Sequence, residues 1–392
     1  MRKNKTLVMI GGGVQQVRAV QIVQAAGYHI LVTDRTEQAP CFRYADHVAQ
    51  IDGRNVEDII AFILINKDRL NIVGIFTLTE LVTSVAVVAN ACGLPGVSIK
   101  SAVTCQNKAL CKEVWLKNKV STPQGRVASS ISEARVVFEQ LRGRVFVKPI
   151  VGFGGKGAQK IQNLAHLEEY FKEGQGEEIL IEELVEGTMH DVNGIIDEDD
   201  KFWPMGIVDR FFLEDFPVEK EIQTPSKLEK DDQEKLYQLL EQSVRSLGIH
   251  WGPVKGDAVL YENKFSMLEV APRLHGPKNS LYLLPYSGLD CLNKSLGILS
   301  GESNNDFSFV QNKYSICSAV LPEPGTLFER KIVSDSLNSP GIVEALIFAE
   351  DGEEIRNYKN STNVPAYIFS KGKTLSECKN YLFNTNLIQE SE

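Results

Sequence analysis

The strongest constraint on the fold is the alternation of short apolar runs with amphipathic stretches over residues 1–105. Residues 6–10 are apolar and end in Gly11-Gly12-Gly13. Val17, Val20, Ile22 and Val23 follow at near-helical spacing, and Gly27 suits a helix C-terminus. Apolar runs at 29–33, 48–51 and 72–77 then alternate with helical patterns at 56–65 and 81–91. Parallel neighbours need crossover connections, so this rhythm predicts a doubly wound parallel sheet in an α/β domain.

The rest of the chain has a different texture. Strands are expected at 145–148, 179–183, 255–261 and 265–270. Ser130 and Glu133 form a capping box for a helix running to Leu141. Asn163 suits the cap of a helix over 164–171, with Gly174 after it. Leu236, Leu239, Leu240, Val244 and Leu247 make one apolar helix face that Gly248 ends. Further strands are expected at 314–321, 342–349 and 366–370, and Thr374 with Glu377 opens a last helix. The polar stretch from Ser303 to Ser308 reads as a junction. Three regions result: an α/β domain (1–105), a central region (106–302) and a β-rich C-terminal part (303–392).

A chain of 392 residues exceeds one core. Its formal charge of −9 disfavours a nucleic-acid role, because phosphate contacts need a basic surface. No apolar run approaches the roughly 18 residues of a membrane span. The basic start is followed by too short an apolar segment for a signal peptide, so a cytoplasmic protein is expected. Seven cysteines, an odd number without a Cys-x-x-Cys pair, predict free buried thiols.

The glycines at 11–13, with Asp34 ending the second strand, partly match a dinucleotide fingerprint. Gln16 stands where the third glycine should be. A tight strand-to-helix turn without nicotinamide binding is the simpler reading. A helix N-terminus holding an anionic substrate is another.

Four segments carry denser chemistry. Asn107-Lys108 opens a helix that reaches about Lys117. Lys148-Pro149 ends a strand and is followed by Gly152-Phe153-Gly154-Gly155-Lys156-Gly157. A lysine beside a glycine loop suits a polyphosphate, though no Gly-x4-Gly-Lys-Ser/Thr loop is present. The apolar strand Ile179-Leu180-Ile181 runs into Glu182-Glu183-Leu184-Val185, where backbone groups suit an adenine edge. Finally, a turn at Glu262-Asn263-Lys264 would set Asp257 opposite Glu269 on one face. Two such carboxylates need a cation between them, and Mg²⁺ takes oxygen ligands and bridges to nucleotide phosphates. Arg273 follows closely, placed to neutralise a phosphoryl group.

In this order the segments resemble the ATP-grasp superfamily, of the carboxylate–amine ligase type. The β-rich C-terminus is similar to the amino-acid ligase branch. The resemblance implies a central two-subdomain ATP-grasp fold with a lid near 145–185. It implies that Lys108 and Lys148 contact the nucleotide phosphates, beneath a lid loop carrying Gly154, Gly155 and Lys156. Glu182, the Glu183 carbonyl and the Val185 N–H are then expected at adenine. Asp257 and Glu269 are expected to ligate one or two Mg²⁺ ions, with Mn²⁺ as a substitute. Arg273, Lys148 and His275 are the expected catalytic groups, and Glu80, Arg210 and Ser280 are further substrate-side candidates. The implied reaction phosphorylates a small-molecule carboxylate to an acyl phosphate and couples it to an amine, releasing ADP and phosphate. A homodimer is an allowed assembly.

Two positions depart from the family pattern. Glu-x-Asn-Pro-Arg is here Glu269-Val270-Ala271-Pro272-Arg273, and alanine cannot ligate a metal. Met189 stands where an acidic residue often meets the ribose. These departures keep a regulatory, non-catalytic ATP-binding protein open as an alternative. A carboxylase-type enzyme is another, although Ala-Met-Lys-Met is absent.

Overall fold

The computed structural model describes residues 5–152, 154–173, 178–214, 217–302 and 306–388. Phe153 of the glycine loop, Gly174, and Ser303, Asn304 and Asn305 of the polar stretch lie outside the described residues.

The N-terminal strands β1 (Thr6–Ile10), β2 (His29–Asp34), β3 (His47–Gln50) and β4 (Ile72–Thr77) form a parallel sheet in the order β3-β2-β1-β4. Alternate residues of β1 point to opposite faces. Leu7 and Met9 pack with Val20 and Val23 of the helix Val17–Ala25. Val8 and Ile10 pack with Ile59 and Ile63 of the helix Val56–Leu70 and with Val88 of the helix Val82–Cys92. The sheet is therefore doubly wound, as the alternation predicts. Gly74 brings it against the central region: a Cβ there would lie 1.8 Å from the Leu299 carbonyl oxygen, so only glycine fits.

A second sheet has the order β5-β8-β6-β7, from β5 (Gly125–Ala128), β6 (Val145–Pro149), β7 (Gln159–Ile161) and β8 (Ile179–Glu183). All its pairings are antiparallel. Val137 and Leu167, from the helices Ile131–Gln140 and Leu164–Lys172, close a small core against Val145, Val147 and Ile181.

The third sheet is antiparallel and eight-stranded. Its strands are β9 (Thr188–Ile196), β10 (Phe202–Phe212), β11 (Glu219–Thr224), β12 (Gly252–Tyr261), β13 (Lys264–Ala271), β14 (Tyr314–Val320), β15 (Ile342–Ile347) and β16 (Ala366–Gly372). The order is β13-β12-β9-β10-β11-β14-β16-β15. The helix Lys230–Ser246 buries Leu236, Leu240 and Val244 against Val192, Ile207 and Val254 on one face. β14 pairs with β11 along Glu221–Thr224, so the C-terminal strands continue the central sheet across the junction expected near residue 303.

Strands β9, β10 and β11 carry no clear apolar alternation. Asp191, Asn193, Asp209 and Glu219 are buried polar residues along them. Charge pairing accounts for the burial of these polar residues, while Val192, Ile196 and Ile207 of the same strands pack in the apolar core.

Candidate active site

The first component begins at Asn107, which caps the helix Lys108–Lys117 by accepting the N–H groups of Ala109 and Leu110 at 3.0 Å. This fixes Lys108 in the first turn. Its Nζ donates to the Gly152 carbonyl at 2.9 Å and lies 3.6 Å from Glu269 Oε2. One turn on, Lys112 shares the same helix side. Its ammonium is buried, donates to Thr122 Oγ1 and to the Pro123 carbonyl, and pairs with Glu182 Oε1 at 2.7 Å.

Glu182 also takes Lys148 Nζ at 2.6 Å on its other oxygen. Burial pushes the Glu182 carboxyl up, but Lys148 and Lys112 outweigh it and hold it below the usual carboxylate value. Burial acts the other way on Lys112, whose pKa is lowered. The Glu182 carboxylate thus faces two ammonium groups. Glu183 and Val185 beside it are half-buried. The Glu183 carboxylate accepts the Gln124 N–H at 2.9 Å.

The second component is the β12–β13 hairpin. Asp257 does pair with Glu269, but by a different route from the expected three-residue turn. The turn has two residues, Glu262 and Asn263, at φ 46° and 62°, and Lys264 already pairs with Tyr261. A bulge between Asp257 and Ala258 then shifts the register by one residue. The cation between the carboxylates is Lys255, with Nζ 3.0 Å from Asp257 Oδ1 and 2.9 Å from Glu269 Oε1. Burial pushes Glu269 up, yet Lys255 and Lys108 bring it down to about 2. Asp257 lies well below the usual range, with burial outweighed first by Lys255 and then by His275 and Arg210.

Beyond Asp257 the charges continue. His275 Nδ1 lies 2.7 Å from Asn193 Oδ1, and Nε2 lies 3.1 Å from Asp257 Oδ1 and 3.5 Å from Asp191 Oδ1. Arg210 contacts Asp191 at 2.9 Å, Glu219 at 2.7 Å and Asp257 at 3.3 Å. Lys278 pairs with Glu219 at 2.6 Å and sits 3.7 Å from the Tyr367 ring centroid. Asn279 Nδ2 donates to Asp191 at 3.0 Å. The resulting wall alternates in sign, with Arg210, His275 and Lys278 each beside a carboxylate.

Arg273 is buried, donates to the Leu274 carbonyl at 2.8 Å and pairs with Glu80 of the N-terminal domain. Its buried Nε has no hydrogen-bond partner among the described residues. Ser280 does not face this wall: it is fully buried and donates to the His275 carbonyl at 2.8 Å. Met189 is half-buried and pairs with Arg210 across β9–β10.

The donor chemistry fits a divalent cation on Asp257 and Glu269, two hard carboxylates directly opposite each other across the hairpin. Oxygen donors of Asp257 and Asp191 also lie within 4.8 Å of a His275 nitrogen, although Arg210 already neutralises those carboxylates. The glycine loop reaches toward the far wall. A Cβ on Gly155 would stand 3.0 Å from Pro217 Cγ, and one on Gly154 3.8 Å from Thr362.

At the first turn, Asp34 Oδ2 accepts the Gly12 N–H at 2.8 Å and Oδ1 accepts that of Thr36. Its carboxylate is used within the turn, which favours the simple structural reading of Gly11–Gly13. All seven cysteines are buried and free, and burial lifts the Cys41 and Cys111 thiols to about 12. No described helix is long and apolar enough to cross a membrane.

Lys112, Asp191, Glu219 and Lys278 belong to no motif in the linear chain, whereas Lys255 opens the Lys255-Gly256-Asp257 segment without being singled out there for a role. Lys112 and Lys255 had a signal: one helical turn from Lys108, and two residues before Asp257 on the same strand face. Asp191, Glu219 and Lys278 had none, because strand pairing brings them together.

Through Lys148, the four-stranded antiparallel sheet thus meets the β12–β13 hairpin of the larger antiparallel sheet. Residues 105–277 match the family model for the ATP-grasp domain. Over that segment the chain is similar to the ATP-grasp domain family. An uncharacterized protein of Sinorhizobium fredii, y4rH, is 24% identical over 318 residues, which span 79% of this chain and 66% of that protein. A formate-dependent phosphoribosylglycinamide formyltransferase of Sulfurisphaera tokodaii is 25% identical over 300 residues, 69% of this chain and 70% of that one. The crystal structure of an L-amino acid ligase from Bacillus licheniformis superposes with a TM-score of 0.83 over 100% of both chains, at 17% identity.

Proposed function

We propose that this protein uses Mg-ATP to phosphorylate a small-molecule carboxylate and joins the acyl group to an amine. The observation that carries this reading is the paired Asp257 and Glu269 beside two lysines from other elements. Lys108 lies 3.6 Å from Glu269, and Lys148 Nζ lies 3.5 Å from the carbonyl of the adjoining Leu268. Two of the similar proteins fit by name: one is a ligase of L-amino acids, the other a formate-dependent formyltransferase.

Lys108 and Lys148 hold the phosphates, and Glu182 with Lys112 fixes the Lys148 ammonium in place. Mg²⁺, when bound on Asp257 and Glu269, supplies further charge neutralisation. A carboxylate oxygen attacks the γ-phosphorus and ADP leaves. The amine nitrogen then attacks the acyl carbon, the C–O bond to phosphate breaks, and the amine gives up a proton. Arg273 faces the negative charge that develops on the phosphoryl and acyl oxygens. The loop over 152–157 excludes water from the mixed anhydride. With both ring nitrogens held against acceptors, His275 positions Asp257 and Asp191 and does not act as the base.

The test is release of ADP and phosphate over a panel of paired acids and amines, with product masses measured. Turnover that needs both substrates and collapses in Lys148→Ala supports the reading. ATP binding with no turnover for any pair would favour the regulatory alternative.

A further inference from the structure

We infer that Lys255 serves as a tethered cation in place of a second metal ion, so that this protein binds one divalent ion per nucleotide. The inference rests on the Mg-ATP reading of the cleft. Its basis is a pair of residues that face each other. Ala271 stands where the superfamily pattern has the metal-ligating asparagine, and the residue directly across the hairpin from Ala271 is Lys255. Cross-strand partners have Cβ atoms about 4.5–5.5 Å apart, so the side chain at one position limits the room at the other.

Lys255, Asp257, Glu269 and Ala271 lie on one face, two residues apart along each strand. The methyl group of Ala271 leaves space for the lysine stem. The ammonium then reaches the inner oxygens of both carboxylates, at 3.0 and 2.9 Å. Lys255 is only 4% exposed, so this is a built position and not a surface side chain that happens to fold over. Each carboxylate keeps its other oxygen: Glu269 Oε2 is 3.6 Å from Lys108, and Asp257 Oδ2 is 3.3 Å from Arg210. The site thus has a fixed monovalent charge where a two-ion site would need a mobile divalent one, and it lacks the ligand that would hold that ion.

The test counts Mn²⁺ bound by the full chain with the β,γ-imido analogue of ATP, from the electron paramagnetic resonance signal of free Mn²⁺. The count without nucleotide is subtracted, which removes any ion held by Asp191, Asp257 and His275 alone. One nucleotide-dependent Mn²⁺ per chain is expected. The double variant Lys255→Ala/Ala271→Asn, which removes the ammonium and restores the asparagine, is expected to bind two. Two ions in the unaltered protein would overturn the inference and leave the Mg-ATP reading intact. No nucleotide-dependent ion would overturn both. A count of one in a double variant with unchanged circular dichroism would show that Lys255 and Ala271 are not what excludes the second ion.

Discussion

Glu182→Gln is the substitution whose effect the structure defines most closely. Glutamine keeps the volume but removes the charge that holds two ammonium groups together. The Lys112 side chain is 4% exposed and that of Lys148 11%, so neither can recover full hydration in place. Removing one partner of a buried ion pair costs about 3–5 kcal/mol. Folded domains are stable by only about 5–15 kcal/mol, so the variant should lose about a fifth or more of its margin. The melting temperature of the transition that includes the lid should fall by on the order of 10 °C. Lys112 supplies a pH signature. Its folded pKa lies below the unfolded value of 10.5, so the unfolded state binds more protons in that interval and stability rises with pH there. Without Glu182 the folded pKa drops further and the interval widens downward, so the deficit should shrink as the buffer is raised from neutral toward pH 9. Adding Lys112→Met should recover at least half of the loss. Calorimetry across this pH range measures all three effects. A loss below about 1 kcal/mol, the level of an exposed pair, would refute the buried bridge.

Other consequences are tested by separate substitutions. Lys148→Ala should lower ADP release about 10²–10³-fold, the usual effect of removing one preorganised charge donor. Its fold should survive, because Glu182 keeps Lys112 as a partner, and circular dichroism checks this. Glu269 is held at about 2 in the folded chain against an unfolded value of 4.5. Its contribution, on the order of 3 kcal/mol, is complete above pH 4.5 and lost as the pH falls toward 2. Glu269→Gln should therefore flatten the acid limb of the stability curve. Gly155→Ala places a Cβ at φ +74° and 3.0 Å from Pro217. A left-handed alanine costs about 1–2 kcal/mol, so this variant should raise the KM for ATP several-fold by opening the loop.

How much of this was legible in the linear chain depended on whether the signal was local. The parallel sheet was, because each of Leu7–Ile10, Ile30–Val32 and Ile72–Phe76 is a continuous apolar run in a sheet covered on both faces. Asn107, Ser130, Asn163 and Thr374 were likewise legible as helix caps, because a cap depends on residues two or three positions away. The facing of Asp257 and Glu269 was legible in outcome and not in mechanism, since a bulge is a backbone event that no residue type announces. β9 and β11 were hidden because Asp191, Asn193 and Glu219 are buried as members of a charge array. Their partners Arg210, His275 and Lys278 are far off in sequence. For the same reason the pairing of Glu182 with Lys112 and Lys148 was not legible in the segment 179–185.

The central claim is that a carboxylate becomes an acyl phosphate in this cleft. Transfer of ¹⁸O tests it most directly. The protein is supplied with Mg-ATP, an amine and the accepted acid labelled in both carboxylate oxygens, and the released phosphate is analysed by mass. The mechanism predicts one labelled oxygen in phosphate for each product formed, because the attacking carboxylate oxygen leaves with phosphorus. ADP release with unlabelled phosphate would contradict it, since the carboxylate would then never have bonded to the γ-phosphoryl group.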